Sequence, residues 1–241
     1  MLGGRPLELS KLIISTWVAL LLPVAAQGFP PYRSTDADTA APWTLEARLG
    51  LLKIQHADRQ NSYTSPLLRL NFGFTRHFEI LSEFEYDIEE GRVGDGAVGF
   101  KWAPIQRSIS LGIETLMLLP VSSEYSGVGV ESQLLATIER DRYQVHVNAG
   151  GFYDPRRKVT ENGWRASVLT EARFGRFKPG LELFAKQVHH ESTQVQAGPG
   201  IIFDLGPFEV RSAVHFGLTS SAPDFVTSLW ISKEFPLRQG H

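Results

Sequence analysis

The chain has no cysteine, no marked excess of either charge and only one long apolar run. Without cysteine there is no disulfide framework and no thiolate metal site. The formal net charge is −2, from 24 basic and 26 acidic side chains. That balance lacks the basic excess of a nucleic-acid binder, so no nucleic-acid partner is expected. The one apolar run, Leu12 to Ala26, falls short of the roughly 20 residues a spanning helix needs. It also contains Pro23, which breaks a helix near its end. If this protein crosses a membrane, it must do so with strands.

What is present at the N-terminus is an export signal. Arg5 and Lys11 precede the apolar run, and Val24-Ala25-Ala26 supplies the small residues read by signal peptidase. Residues 1–26 are therefore expected to be removed after Ala26. Residues 27–42 are polar and carry Pro30, Pro31 and Pro42, and read as an extended periplasmic leader. A chain of 241 residues suits one β domain.

From Trp43 to Phe235 the sequence divides into about a dozen stretches of roughly ten residues, the length of a tilted membrane strand. Apolar and polar residues alternate within them. In the first, Trp43, Leu45, Ala47 and Leu49 oppose Thr44, Glu46, Arg48 and Gly50. In the third, Phe78, Ile80, Phe84, Tyr86 and Ile88 oppose Glu79, Glu83, Glu85 and Asp87. Later stretches set Trp164, Ala166 and Val168 against Arg165 and Ser167, and Phe208, Val210 and Phe216 against Glu209, Arg211 and His215. This is period two, not the helical period. The fold class expected is all-β: a closed antiparallel up-and-down transmembrane β-barrel of about twelve strands, with ten or fourteen as alternatives.

The connections alternate in length. Short links lie at Thr75-Arg76-His77, Pro104 to Arg107, Glu139 to Arg142, Gly175-Arg176 and Leu205-Gly206-Pro207. Longer ones run from Gln55 to Tyr63, Pro120 to Gly127, Asp154 to Asn162 and Thr219 to Asp224, with Glu89 to Arg92 an exception. Outer-membrane barrels have short periplasmic turns and longer external loops. Aromatics gather beside the short links: Trp43, Phe74, Phe78, Trp102, Tyr143, Phe174, Phe177, Phe203, Phe208 and Phe235. Such a girdle belongs at a membrane interface, which turns the apolar face outward to the lipids of the outer membrane. A fainter set, Tyr86, Tyr153, Trp164 and Phe225, marks the other rim. The last strand, Phe225 to Phe235, resembles the C-terminal signal read by the outer-membrane barrel assembly machinery, although residues 236–241 follow it as a tail.

The polar face then lines a lumen. Its charged candidates are Glu46, Arg48, Arg69, Glu79, Glu83, Glu85, Lys101, Glu114, Glu131, Arg165, Glu171, Arg173, Glu182, Lys186 and Arg211, with His146 and His215 as further polar groups. Two arrangements fit: acidic and basic walls set up a transverse field that orients solutes, or the charges pair across the lumen and plug it. Leu81, Leu116, Leu135 and Phe184 also face inward, so the lumen is not uniformly wet.

Several short motifs resemble a bacterial family of outer-membrane transporters, the "MetA-pathway of phenol degradation" proteins. They are Ser34 to Ala40 before the first strand, Ser65-Pro66-Leu67-Leu68-Arg69-Leu70-Asn71-Phe72-Gly73 with Thr75-Arg76, Phe78-Glu79-Ile80, Gly94 to Trp102, and Leu118-Leu119-Pro120. The resemblance spans essentially the mature chain. It implies a barrel that moves small compounds, aromatic ones among them, and it carries over no catalytic residue.

No cofactor or metal is expected. His189-His190-Glu191 sits in an expected external loop, where adjacent strand residues point apart. The glycine-rich Gly91 to Gly99 is not followed by a helix, so it is no phosphate loop. The reading is a non-enzymatic passive channel for a small-molecule solute. A structural or adhesive barrel with a plugged lumen is the alternative. A lipid hydrolase using Ser167 with His146 is a third.

Overall fold

The computed structural model describes residues 31–55, 61–87, 91–121, 126–156 and 160–238. The expected signal peptide, the first residues of the leader, Ile88 and the end of the tail lie outside them. Twelve strands follow one another: β1 (Thr44–Gln55), β2 (Asn61–Thr75), β3 (Phe78–Asp87), β4 (Arg92–Ile105), β5 (Ile109–Leu119), β6 (Gly129–Arg140), β7 (Tyr143–Asp154), β8 (Glu161–Ala172), β9 (Phe177–Val188), β10 (Gln194–Leu205), β11 (Phe208–Gly217) and β12 (Phe225–Pro236). Each pairs antiparallel with the next, and β12 pairs with β1, which closes the ring. Among the described residues no helix is long and apolar enough to cross a membrane; the crossing is made by strands. The fold is a transmembrane β-barrel, as the alternation predicts.

Side-chain alternation decides the two faces. Along β1 the burial alternates from Thr44 to Gln55, with Glu46, Arg48 and Gly50 inside and Leu49 exposed. The outer wall is apolar: Leu134 is 66 % and Leu181 63 % exposed, values that only a lipid solvent makes reasonable over a whole ring. Two prolines sit inside strands where the ladder skips. Beside Pro66 the β2–β3 pairing jumps from Thr64 to Leu67, and beside Pro104 the β4–β5 pairing jumps from Trp102 to Ile105. A proline has no N–H for the ladder, so it is tolerated where pairing is already broken.

The short links form one rim, and their aromatics stand there. Phe74, Trp102, Tyr143, Phe174, Phe177, Phe208 and Phe235 are exposed. Phe177 stacks on Phe203 at 4.8 Å between ring centres. Lys233 points outward, yet its ammonium lies 5.1 Å from the Phe208 ring and 5.0 Å from the Phe235 ring. That cation–aromatic shelter lets its stem lie on the apolar wall while the head reaches the interface. The chain beyond Phe235 stays docked: the N–H of Leu237 donates to the carbonyl of Trp43 at 2.8 Å, and the Arg238 guanidinium covers the Trp43 ring.

A charge on the mid-wall should be costly in proportion to its depth. Leu134→Arg should lose about 2–4 kcal/mol of folding free energy in a bilayer. Urea titration of refolded vesicle-bound protein measures this; an unchanged midpoint would contradict the outward, lipid-facing placement of Leu134.

Candidate functional site

The candidate site is the lumen, and its most consequential occupant is the leader. Residues 27–42 were expected to lie in the periplasm. Their described part, from Pro31 onward, lies inside the barrel. The chain turns inward at Trp43, whose φ is +60°, and whose N–H donates to the carbonyl of Gly73 at 2.7 Å. Ala40 N–H then donates to Glu79 at 2.6 Å, beside the short-turn rim. Ala37 N–H donates to the Thr137 hydroxyl at 2.9 Å. Thr35 is held at both ends: its N–H donates to Asn148 Oδ1 at 2.7 Å, and Asn148 Nδ2 donates to its carbonyl at 2.9 Å. Glu182 accepts from Arg33 N–H at 2.9 Å and from Ser34 N–H and hydroxyl, both at 2.5 Å. Ser228 donates to the carbonyl of Pro31 at 2.9 Å. The partners come from β3, β6, β7, β9 and β12, on all sides of the ring. Small side chains explain the fit: Ser34, Thr35 and Ala37 are almost wholly buried.

Tyr32 anchors the inner end. Its ring lies over Gly180 and Gly200 and packs with Leu169, Ile202 and Ala213. A Cβ at Gly200 would stand 2.5 Å from that ring, so glycine there leaves the socket open. Burial raises the Tyr32 phenol well above its usual range, with Glu171 and Glu182 adding to the shift.

The charged candidates pair along the wall rather than across the lumen. Arg48 makes a two-point contact with Glu46 on its own strand, at 2.7 and 2.5 Å. Arg211 reaches Glu46 at 3.4 Å and also pairs with Glu209, which Lys178 contacts at 2.8 Å. Arg69 pairs with Glu83 and reaches Glu114 at 2.9 Å, while Gln133 donates to the other oxygen of Glu114. Arg165 pairs with Glu131. His215 contacts Glu182 at 2.7 Å. Lys101 lies 3.5 Å from Glu79 and 3.2 Å from Asp36 of the leader, and donates to the carbonyl of Asp38 at 2.9 Å. Glu85 and Lys186 are half-buried, and the Lys186 ammonium lies 4.8 Å from the Phe152 ring. Arg173 is exposed just past the end of β8, at the rim. Neither expected arrangement is the one found: pairs are local, and a segment of backbone fills the centre.

A cavity of about 540 Å³ remains between the leader and the wall at the short-turn rim. Asp36, Asp38, Lys101, Arg48, Glu171, Arg173, Lys178 and Arg211 line it. Toward the long loops apolar groups cluster on the β12 and β1–β5 side of the lumen. Leu52, Ile54, Leu67, Val226 and Trp230 form one cluster; Leu81, Ala97, Leu116 and Leu118 form another. Trp230 lies directly against Gly50, where any side chain would displace it.

The Ser167–His146 pair does not form. Ser167 donates to Asn148 at 3.3 Å. His146 is engaged at both nitrogens, with Thr137 at 2.9 Å and Glu171 at 3.0 Å. The His189 and His190 rings lie against each other, 3.8 Å between centres, instead of pointing apart, because they sit in a turn. Among the described residues no group of three or more His, Cys, Asp or Glu is placed to hold a metal ion. The uncharged partners of the leader, Thr137, Asn148 and Ser228, are the residues that a search for charge misses. They occupy inward positions of the same alternation, so parity alone points to them.

No family model and no curated sequence matches the chain. Solved structures do. The NanC porin superposes with a TM-score of 0.61 at 11 % identity, covering 78 % of this chain and 98 % of that one. An outer membrane channel from Pseudomonas putida F1 gives 0.59 at 10 % identity, covering 83 % and 98 %. The KdgM porin gives 0.54 at 14 %, covering 82 % and 99 %. The fold is that of the outer-membrane porins. At these identities the likeness is one of architecture.

Two outcomes follow for the leader. Lys101→Met leaves Glu79 and Asp36 without their shared cation, and unpairing a buried charge costs about 3–5 kcal/mol. Trypsin should then cut after Arg33 in the folded barrel far faster than in the parent; equal rates would show that Lys101 does not hold the leader. The second outcome concerns pH. Partial burial and the neighbouring Asp36 push Asp38 up to about 6, against Lys101. Burial opposes ionisation of Asp36, but Lys101, His146 and Arg48 hold its carboxyl below the usual range. A raised pKa means Asp38 contributes to docking when protonated, and that contribution fades as pH rises through about 6. Asp36 contributes when ionised and fades in acid. Docking is therefore firmest at mildly acid pH and looser near pH 7.5. Cleavage after Arg33, normalised to a free peptide, should rise across that interval, and Asp38→Asn should flatten the rise.

Proposed function

We propose that the protein is a passive outer-membrane channel for small solutes, with the leader as a displaceable plug. The observation that carries this reading is the kind of contact holding the leader. From Ala40 to Arg33 it is held mainly by hydrogen bonds and by the Asp36–Lys101 ion pair, to groups that water can satisfy, with the Arg33 guanidinium over the Phe184 ring. The barrel closes through β1 and β12 without it. Its departure leaves a lumen lined by locally paired charges, wet enough to pass polar solutes. Diffusion is then shaped by the charged wall at the short-turn rim and by the apolar clusters toward the long loops, which disfavour water along that arc.

The solutes of this reading include the aromatic compounds implied by the resemblance to the "MetA-pathway of phenol degradation" family, and two features of the lumen support them. The apolar clusters on β12, β1–β5 offer a surface for a ring. Lys186 on the opposite arc offers positive charge for an acidic substituent. In this reading the export signal, the Phe235-ended strand read by the assembly machinery and the lipid-facing wall deliver the barrel to the outer membrane. The alternative, a plugged structural barrel, draws support from the near-complete burial of Ser34, Thr35 and Ala37.

Single-channel recording separates the two. The parent should show small, infrequent steps. Deleting residues 31–40 should give larger, stable ones, and so should Gly200→Val, which drives Tyr32 from its socket. Neutralising Glu83 and Glu85 should change their ion selectivity. Folded barrels, checked by heat-dependent gel mobility, that never conduct in any of these forms would favour the plugged structural role.

A further inference from the structure

The contacts that seat the leader are those of a peptide receptor. Most of them read main chain. The N–H groups of Arg33, Ser34, Thr35, Ala37 and Ala40, and the carbonyls of Thr35 and Asp38, are each bound by a wall side chain. The Asn148 amide binds both N–H and C=O of one residue, the pattern with which a neighbouring strand would read an extended peptide. Glu182 receives two successive main-chain N–H groups on its two oxygens. Such groups recognise any extended backbone, and side-chain pockets then set which sequences fit.

Two pockets flank this clamp. One is the socket for Tyr32, floored by Gly180 and Gly200 and walled by Leu169, Ile202 and Ala213. The other is Lys101, whose ammonium meets the Asp36 carboxylate at 3.2 Å and the Thr35 hydroxyl at 3.3 Å. Ser34 and Thr35 between them, and Ala37 just beyond, pack with almost no exposed surface, so only small residues fit at those three places, while the Arg33 guanidinium lies 5.4 Å from the Phe184 ring. The cavity at the short-turn rim borders the second of the two pockets, with Asp36, Asp38 and Lys101 in its lining.

We propose that the lumen is a binding site for an extended peptide that carries an aromatic residue four places before an acidic one, with one basic and two small residues between, and that the leader is its resident occupant. The site takes the same segment offered in trans from the short-turn rim when the leader is out. The inference stands on the contacts of the leader and does not require conduction.

The test uses a synthetic peptide of residues 31–42, labelled at its C-terminal end, and the barrel lacking residues 31–40, refolded in detergent. Fluorescence anisotropy should show saturable binding. Asn148→Ala or Glu182→Gln should each weaken it about ten-fold or more, since each removes at least one buried hydrogen bond to the peptide. A scrambled peptide should not compete. If the leaderless barrel does not refold, the full chain with Tyr32→Ala and Asp36→Ala keeps the groove intact while loosening its own occupant. Absence of saturable binding to a folded barrel, or equal binding of the scrambled peptide, overturns the proposal. Binding without conduction would keep this site and remove the channel; conduction without binding would do the reverse.

Discussion

The structure depends on one constraint: within hydrocarbon, every backbone N–H and C=O must find its partner in the protein. A row of strands meets that demand only if its two ends meet. Here they meet over the full length of β1 and β12, from Thr44 opposite Pro236 to Gln55 opposite Phe225. Closure leaves no sheet edge, and it divides the side chains strictly into those that face lipid and those that face the interior. The outer face is then free to be apolar, and the polar half of each strand is forced inward.

Twelve strands place the ring between two regimes. Barrels of about eight strands fill their interior with their own side chains, and those of sixteen or more leave an aqueous channel. A ring of intermediate size has more interior than its side chains fill. This chain fills it with two materials. Ion pairs such as Glu46–Arg48, Arg69–Glu114 and Glu131–Arg165 run along the wall, because partners on the same or nearby strands meet without bridging open space. The axis is filled by the leader, whose main chain supplies further donors to Glu79, Asn148 and Glu182 in the interior.

The two ends of the lumen differ for the same reason. Near the short turns the wall is charged and a cavity persists beside Asp38 and Lys178. Near the long loops Trp230, Leu52 and Leu67 pack into an apolar cluster. Polar groups need partners or water, and the leader provides partners only along its own path. On the arc from β12 to β5 the inward positions nearest the long loops are apolar, while those nearer the short turns carry Glu46, Arg48, Asn71, Glu79 and Lys101. The outer rim follows a parallel logic: Lys233 and Arg238 are tolerated at the girdle because Phe208, Phe235 and Trp43 offer ring faces to their charges.

Much of this was legible in the residues. Period-two alternation, strand length and the short–long rhythm of the links give about twelve strands and their inner and outer faces, because each is a local consequence of a strand crossing a slab of lipid. Placement of Glu79, Arg69, Lys101 and His146 inside follows from parity alone. Pairing choices do not, since they depend on register between strands: Arg69 meets Glu114 of β5 only once β2 to β5 are aligned. The position of the leader was the least legible. Nothing in Tyr32 to Ala41 is periodic, and a polar Pro-rich segment is equally at home in water. Its place is decided by groups far away in sequence, such as Asn148, Glu182 and Ser228, which closure brings onto one surface. By itself the sequence determined a closed barrel with a polar interior, because alternation and length are properties of single strands. Only the tertiary structure decided what fills that interior, because the filling requires the whole ring to be assembled around it.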